Sequence, residues 1–327
     1  MKFKNNYILL TAVFPEGMNT VYAQLENCIL SIVRLRHRPS IFVVTNDKSK
    51  IFRIIKNNKI NLNDFIIENI SASKKNYLKG HKISDFKYTF AKIQSLRIFL
   101  EKKLEFNSII ISDIDCIFTK KIKFLVNKKK IIFTALNYYS DQENQKMHHI
   151  FSFFLRKYTS VFWINSGFML FNRVDAKKIL KKIDQYFEKF VKNGRFVKKT
   201  INHYGDEILF SIAINFIKKK RFVEQSESFY ENLCNSPLIA LIWTLNCGKN
   251  YLRFLNPFRI NAHIHLPDLK YSMANQVFIK KILDKLEPSL ADFILSIWIN
   301  SKIFKNKLII YNLSKVKRLF FKNINAK

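Results

Sequence analysis

The chain has 327 residues, 48% of them hydrophobic, enough for one large α/β domain and an appendage. Its 57 Lys and Arg against 24 Asp and Glu give a formal net charge of +33, which suits anionic partners: nucleic acid, a membrane surface or phosphorylated substrates. No apolar run approaches the ~18 residues of a spanning helix, which excludes an integral helical membrane protein.

Cys28, Cys116, Cys234 and Cys247 form no C-x-x-C pair and no zinc spacing, so free buried thiols in a reducing compartment are expected. Tyr7 to Phe14 is too short for a signal-peptide core and no small-residue cleavage site follows, so it reads as a first buried strand. Val21 to Leu35 carries apolar residues at helical spacing, Ser40 to Asn46 is a second strand, and Ile51 to Asn57 a short helix. Phe65 to Ile70 is a third strand. This β-α-β-α-β alternation predicts a doubly wound, mostly parallel sheet. Ser71 to Asp85 is a polar, lysine-rich loop, and Tyr88 to Leu100 a helix containing Lys92 and Arg97.

Ser108 to Ser112 is a β-branched run suited to a strand buried on both faces, and it ends in Asp113-Ile114-Asp115. Residues at i, i+2 of an extended chain share a side, so the two carboxylates repel unless something cationic lies between them. Two readings stay open: a solvated strand-end turn, or a hard divalent ion with its oxygen ligands at the ligand-binding edge of the sheet.

Lys120 to Lys130 is basic, Ile131 to Leu136 is a strand, and Asp141 to Lys157, with His148 and His149, is a helix or insert. Phe162 to Asn172 is an apolar strand interrupted by Asn165-Ser166-Gly167. A strand-interior Gly marks a bulge or a close approach by a ligand. The small polar pair beside it suits sugar hydroxyls. Val174 to Phe190 is an amphipathic helix, Lys192 to Lys199 a basic loop hinged at Gly194, and His203 to Glu207 the expected start of another helix. On that placement Asp206 and Glu207 would lie in a first turn, favoured by the helix dipole.

The Asp113-Ile-Asp115 strand end, the helix before it and the Trp163 to Asn172 stretch after it together resemble the GT-A superfamily of nucleotide-sugar glycosyltransferases, nearest the family 8 type and its relatives. The resemblance covers about the first 270 residues. It implies that Asp113 and Asp115 hold Mn²⁺ or Mg²⁺ on the donor diphosphate, with His265, or failing it His263, as a further ligand. It also implies that Thr11 and Ala12 lie near the base and ribose, that Lys92 reaches the donor phosphates, and that Asp206, or Glu207, contacts the transferred sugar. In an inverting enzyme one of these two would be the general base. The family 8 motif H-x-x-G-x-x-K-P-W is incomplete here: the Gly and the Pro-Trp are absent, and Lys270 lies one residue too near His265. Retaining or inverting outcome therefore stays open.

Residues 1–272 are thus expected to form an α/β GT-A catalytic domain, with nucleotide-binding and acceptor halves meeting near residue 120. Residues 273–327 are expected to form a basic, amphipathic helical extension, whose last stretch, Leu308 to Ile324, suits either an anionic membrane interface or packing on the domain. The implied enzyme transfers a sugar from a nucleotide-diphosphate donor to a surface glycan or glycolipid, working in the cytoplasm on the inner face of the membrane. Two rivals were weighed. A haloacid-dehalogenase-type phosphatase using Asp113 needs its motif near the domain start, followed by Gly and Thr. A nucleic-acid-binding protein needs a finger, an aromatic RNA signature or a basic arm, and the sequence offers none.

Overall fold

The computed structural model describes residues 5–14, 19–35, 38–72, 90–119, 131–135, 164–192, 197–218, 223–225, 263–265, 272–295 and 298. Four strands alternate with helices in the first part: β1 (Asn6–Ala12), α1 (Asn19–Val33), β2 (Ser40–Thr45), α2 (Lys48–Asn57), β3 (Phe65–Asn69), α3 (Ala91–Glu101) and β4 (Ser108–Ser112). There follow β5 (Cys116–Phe118), β6 (Ile131–Ala135), β7 (Ile164–Asn172), α4 (Arg173–Lys192), α5 (Val197–Lys218), β8 (Val223–Gln225), β9 (His263–His265) and α6 (Met273–Lys285). A further helix, α7, covers 288–295.

One seven-stranded sheet runs in the order β3-β2-β1-β4-β7-β6-β8, and β5 pairs with β9 in a separate ribbon. β1, β2, β3 and β4 are mutually parallel, and β7 runs antiparallel between β4 and β6. The expected α/β architecture is the one observed.

Alternation along the strands divides the core. Leu9, Phe42, Val44, Ile109 and Ile111 face one layer with residues of α3, α4 and α5. Ile8, Leu10, Ile41, Val43 and Ile110 face the other with residues of α1 and α2. A strand covered on both sides reads as a continuous apolar run, which is why Ser108-Ile-Ile-Ile-Ser112 is buried throughout. Cys28 and Cys116 are buried free thiols, as expected; Cys234 and Cys247 lie outside the described residues.

The segment after residue 272 begins as helix packed on the sheet domain. Asn27 of α1 donates to the Gln276 carbonyl and to its Oε1, both at 2.9 Å, and Lys280 reaches Glu26 at 2.6 Å. Ile117, Ile279, Leu283 and Leu295 form a small apolar cluster against Leu30. The basic stretch from Leu308 onward lies outside the described residues, as do Lys120 to Lys130, Asp141 to Lys157 and Gly194.

Phe99 is fully buried and meets Tyr7, Phe42 and Phe106 edge-on, with ring centroids 5.0 to 5.3 Å apart. Removing a buried ring loses its transfer energy and leaves a cavity, so Phe99→Ala should cost about 3–5 kcal/mol. Denaturant unfolding measures this; a loss below ~1 kcal/mol would mean that the layer is not packed as described.

Candidate active site

The carboxyl end of β4 is where the informative residues meet. The ladder continues one step past the strand, since the Asp113 amide donates to the Gly167 carbonyl at 3.0 Å. The chain then turns through Ile114 and Asp115 into β5. Asp113 is half-buried and Asp115 buried.

β7 brings the second group. Phe133 of β6 pairs with Met169, yet the next residue, Thr134, pairs with Asn165. Ser166, Gly167 and Phe168 are therefore extra on β7, and the strand bulges where the sequence led us to expect it. The bulge breaks the alternation and turns Ser166 inward. Its hydroxyl donates to Asp206 Oδ2 at 2.7 Å and accepts from Lys92 Nζ at 2.7 Å. The description of Asn165 extends to its place in the strand only.

Lys92, in the first turn of α3, is the hub. It is 8% exposed, unlike the usual solvent-facing helical lysine. Its Nζ lies 2.8 Å from Asp113 Oδ1 and 3.1 Å from Asp206 Oδ2, and donates to the Ser166 carbonyl at 3.1 Å. Burial alone would pull its pKa down. The Asp113 and Asp206 carboxylates overcome that and push it above the ordinary lysine value.

Asp206 and Glu207 require a correction. α5 starts at Val197 rather than near His203, and its first turn carries no acidic residue. Asp206 is therefore mid-helix, beyond useful reach of the dipole, which fades within the first turn. What holds it is Lys92 and the Ser166 hydroxyl on Oδ2, with the Glu207 amide donating to Oδ1 at 2.9 Å. Both oxygens are engaged, so the Asp206 side chain is held in one orientation. Glu207 is different. Burial, and next the Asp206 anion, push its carboxyl well above the glutamate range against the opposing pull of Lys92, and its Oε2 is buried without a hydrogen-bond partner.

The remaining expected residues frame this core. Thr11 and Ala12 end β1, and the Thr11 hydroxyl donates to Ser95 Oγ of α3 at 2.8 Å. Pairing of β5 with β9 sets His265 opposite Cys116, one residue after Asp115, and His263 opposite Phe118. Of β9 the backbone is described. Among the described residues no three His, Cys, Asp or Glu side chains form a ready metal cage. The register nonetheless brings the backbone of a strand carrying His263 and His265 beside the Asp113-Ile-Asp115 turn. The structure thus joins Lys92, Asp113, Ser166 and Asp206 by direct contact and brings Asp115 and β9 alongside. Ser95 and Ser211 were not legible: Ser211 accepts from the Ile164 amide at 2.9 Å and pins the start of β7, but a lone helical serine carries no signal in sequence.

The architecture is similar to that of LgtC, a galactosyltransferase solved with donor and acceptor sugar analogs, at 14% identity over 86% of this chain and 96% of that one, TM-score 0.52. An active-site mutant of LgtC aligns at 15% identity over 85% of this chain and 95% of that one, TM-score 0.51. No family model and no curated protein matches the chain. The fold is GT-A.

The Glu207 environment has a pH consequence. A carboxyl with a raised native pKa holds its proton above about pH 4.3, where the unfolded chain has lost it. The native state then binds more protons, and stability falls as pH rises through that window. Glu207→Gln keeps the neutral form at every pH. Its melting temperature should match the wild type near pH 4 and exceed it increasingly toward pH 8. Parallel melting profiles for the two proteins would contradict the buried, neutral carboxyl.

Proposed function

We propose that this protein is a metal-dependent GT-A glycosyltransferase, transferring a sugar from a nucleotide-diphosphate donor to a hydroxyl of a surface glycan or glycolipid, such as lipopolysaccharide core or capsule. The observation that carries the reading is the Lys92–Asp113–Ser166–Asp206 cluster at the carboxyl edge of a GT-A sheet, the edge at which open α/β sheets bind ligands. The galactosyltransferase likeness supports the reaction class, and its sugar-analog complexes support a nucleotide-sugar donor and a glycan acceptor.

Asp113 and Asp115, with His265 or His263, would hold Mn²⁺ or Mg²⁺, and the chemistry such an ion supplies when bound is neutralisation of the departing diphosphate. Thr11 and Ala12, at the end of β1, line the approach of the base and ribose. Asn165 and Gly167, on the β7 bulge, offer a polar side chain and an uncluttered backbone to the donor sugar. Lys92 keeps Asp113 and Asp206 in fixed register, and it is a cation placed to meet a phosphate arriving there. Asp206 orients the transferred sugar from the opposite wall. The raised Glu207 carboxyl favours its protonated form, which weighs against Glu207 and toward Asp206 as the residue facing the acceptor.

The charge of +33 and the absence of a membrane-crossing helix among the described residues are compatible with peripheral attachment to the inner leaflet. Basic residues near such a surface gain about 1 kcal/mol each, so Lys315, Lys317, Arg318 and Lys322 together supply about 4 kcal/mol.

Two experiments test this reading. Asp115→Asn should abolish Mn²⁺-dependent binding of nucleotide sugars in calorimetry and reduce transfer at least a hundredfold. His265→Ala should be more damaging than His263→Ala. Unchanged donor affinity in Asp115→Asn removes the metal from the proposal. Deleting residues 312–327 should release the protein from anionic vesicles while transfer to a soluble acceptor analogue persists; retention on the vesicles would locate attachment elsewhere.

A further inference from the structure

The β5–β9 ribbon has only three residue pairs, Cys116 with His265, Ile117 with Ile264 and Phe118 with His263. Two-stranded pairings this short are marginal by themselves, so something else must fix where the ribbon lies. Its near edge is held by α1. The Phe118 amide donates to Ser31 Oγ at 2.9 Å, and the Ser31 hydroxyl in turn donates to the Cys28 carbonyl at 2.6 Å. The Phe118 carbonyl accepts from Arg34 Nη2 at 3.5 Å. Both backbone groups of one ribbon residue are thus taken by side chains three positions apart, Ser31 on α1 and Arg34 just past its end.

Arg34 is itself clamped. The same Nη2 is ion-paired with Asp292, and Nη1 donates to the Pro288 carbonyl at 3.5 Å. Asp292 is fully buried, and burial pulls the Arg34 guanidinium below its ordinary value against the Asp292 anion that holds it charged. Ile117 packs with Ile279, Leu283 and Leu295 of α6 and α7, so apolar contact holds the ribbon on the same side.

We infer that the Arg34–Asp292 pair is a positioning device for the candidate metal site: through the Phe118 carbonyl it ties the C-terminal helix α7 to the ribbon that sets His265 beside Asp115. The pair lies outside the site itself. Its effect runs through the ribbon, and the fully buried Asp292 gives the linkage one geometry. The part concerning the ion rests on the metal-dependent reading above; the part concerning the ribbon does not.

The test uses the full-length protein and three variants: Asp292→Asn, which leaves the guanidinium without its counter-charge, Ser31→Ala, which removes the acceptor of the Phe118 amide without touching any charge, and Arg34→Lys. Amide hydrogen exchange of residues 116–118 and 263–265 is followed by mass spectrometry, with β1 and β2 as internal reference. Manganese binding in the presence of a nucleoside diphosphate is followed by electron paramagnetic resonance, and metal-free nucleotide binding by calorimetry. Exchange in both ribbon strands should quicken at least tenfold in Asp292→Asn and several-fold in Ser31→Ala, with β1 and β2 unchanged. Manganese affinity should fall about tenfold while metal-free nucleotide binding holds, and Arg34→Lys should fall between the wild type and Asp292→Asn.

Unchanged ribbon exchange in folded Asp292→Asn and Ser31→Ala overturns the inference, as does quickening spread equally over β1 and β2. If Asp292→Asn does not fold, Ser31→Ala and Arg34→Lys decide the same question. Should the wild type bind no manganese, the metal-dependent reading falls, and ribbon exchange alone decides whether the pair positions β9.

Discussion

Everything at the carboxyl edge of the sheet depends on one buried ammonium. Lys92 touches the end of β4, the bulge of β7 and the middle of α5, three segments far apart in sequence. A buried charge is tolerated only when paired and hydrogen-bonded, and here two carboxylates, a carbonyl and a hydroxyl satisfy it. The dependence is mutual. Asp206 is 6% exposed and would be costly without the cation, and the Ser166 hydroxyl is oriented by donating to one partner and accepting from the other. Removing one member of such a set leaves an uncompensated charge behind, which is more damaging than never having had the pair.

The β7 bulge is the backbone counterpart of that cluster. A regular antiparallel strand would alternate past β6 and send Ser166 and Phe168 to one face without interruption. Three extra residues break the count against β6, while on the other side the ladder with β4 runs unbroken to Phe168 opposite Ser112. Gly167 lies in the bulge, where its carbonyl accepts from the Asp113 amide and, at 3.7 Å, from Cys116 Sγ. The bulge therefore fixes the first residue of the Asp-x-Asp turn and delivers Ser166 to Lys92 at once.

How much of this was legible follows from what each signal measures. Apolar runs and helical spacing are local, and the first four strands, their order of alternation and the buried β4 were readable from them. The Gly in an apolar strand was likewise a local signal for the bulge. α5 was placed late because its first turns are mostly polar, with Val197 and Ile201 the only aliphatic residues before the apolar run that begins at Ile208. Lys92 carried two meanings in sequence, since a helical lysine usually faces water, and only the sheet order β1-β4-β7 brings its three partners together. Arg34 and Asp292 are 258 positions apart, and no local pattern connects them.

The charge balance of the site runs against that of the chain. The molecule as a whole is strongly positive, yet among the described residues Asp113 and Asp206 share the Lys92 ammonium, and burial pushes the neighbouring Glu207 carboxyl up. Among the described contacts, two carboxylates against one cation leave a formal negative charge in a cleft whose proposed substrate is itself a polyanion. Long-range attraction to a basic surface brings a diphosphate toward the protein, but it does not offset repulsion at contact distance, because that field is screened within about 8 Å at physiological salt. Lys92 cannot correct the balance, since it is already held by its own carboxylates. A divalent ion at Asp113 and Asp115 would correct it and present positive charge toward the phosphates. That electrostatic requirement, set by residues visible in the fold, is the physical argument for a metal in the proposed reaction.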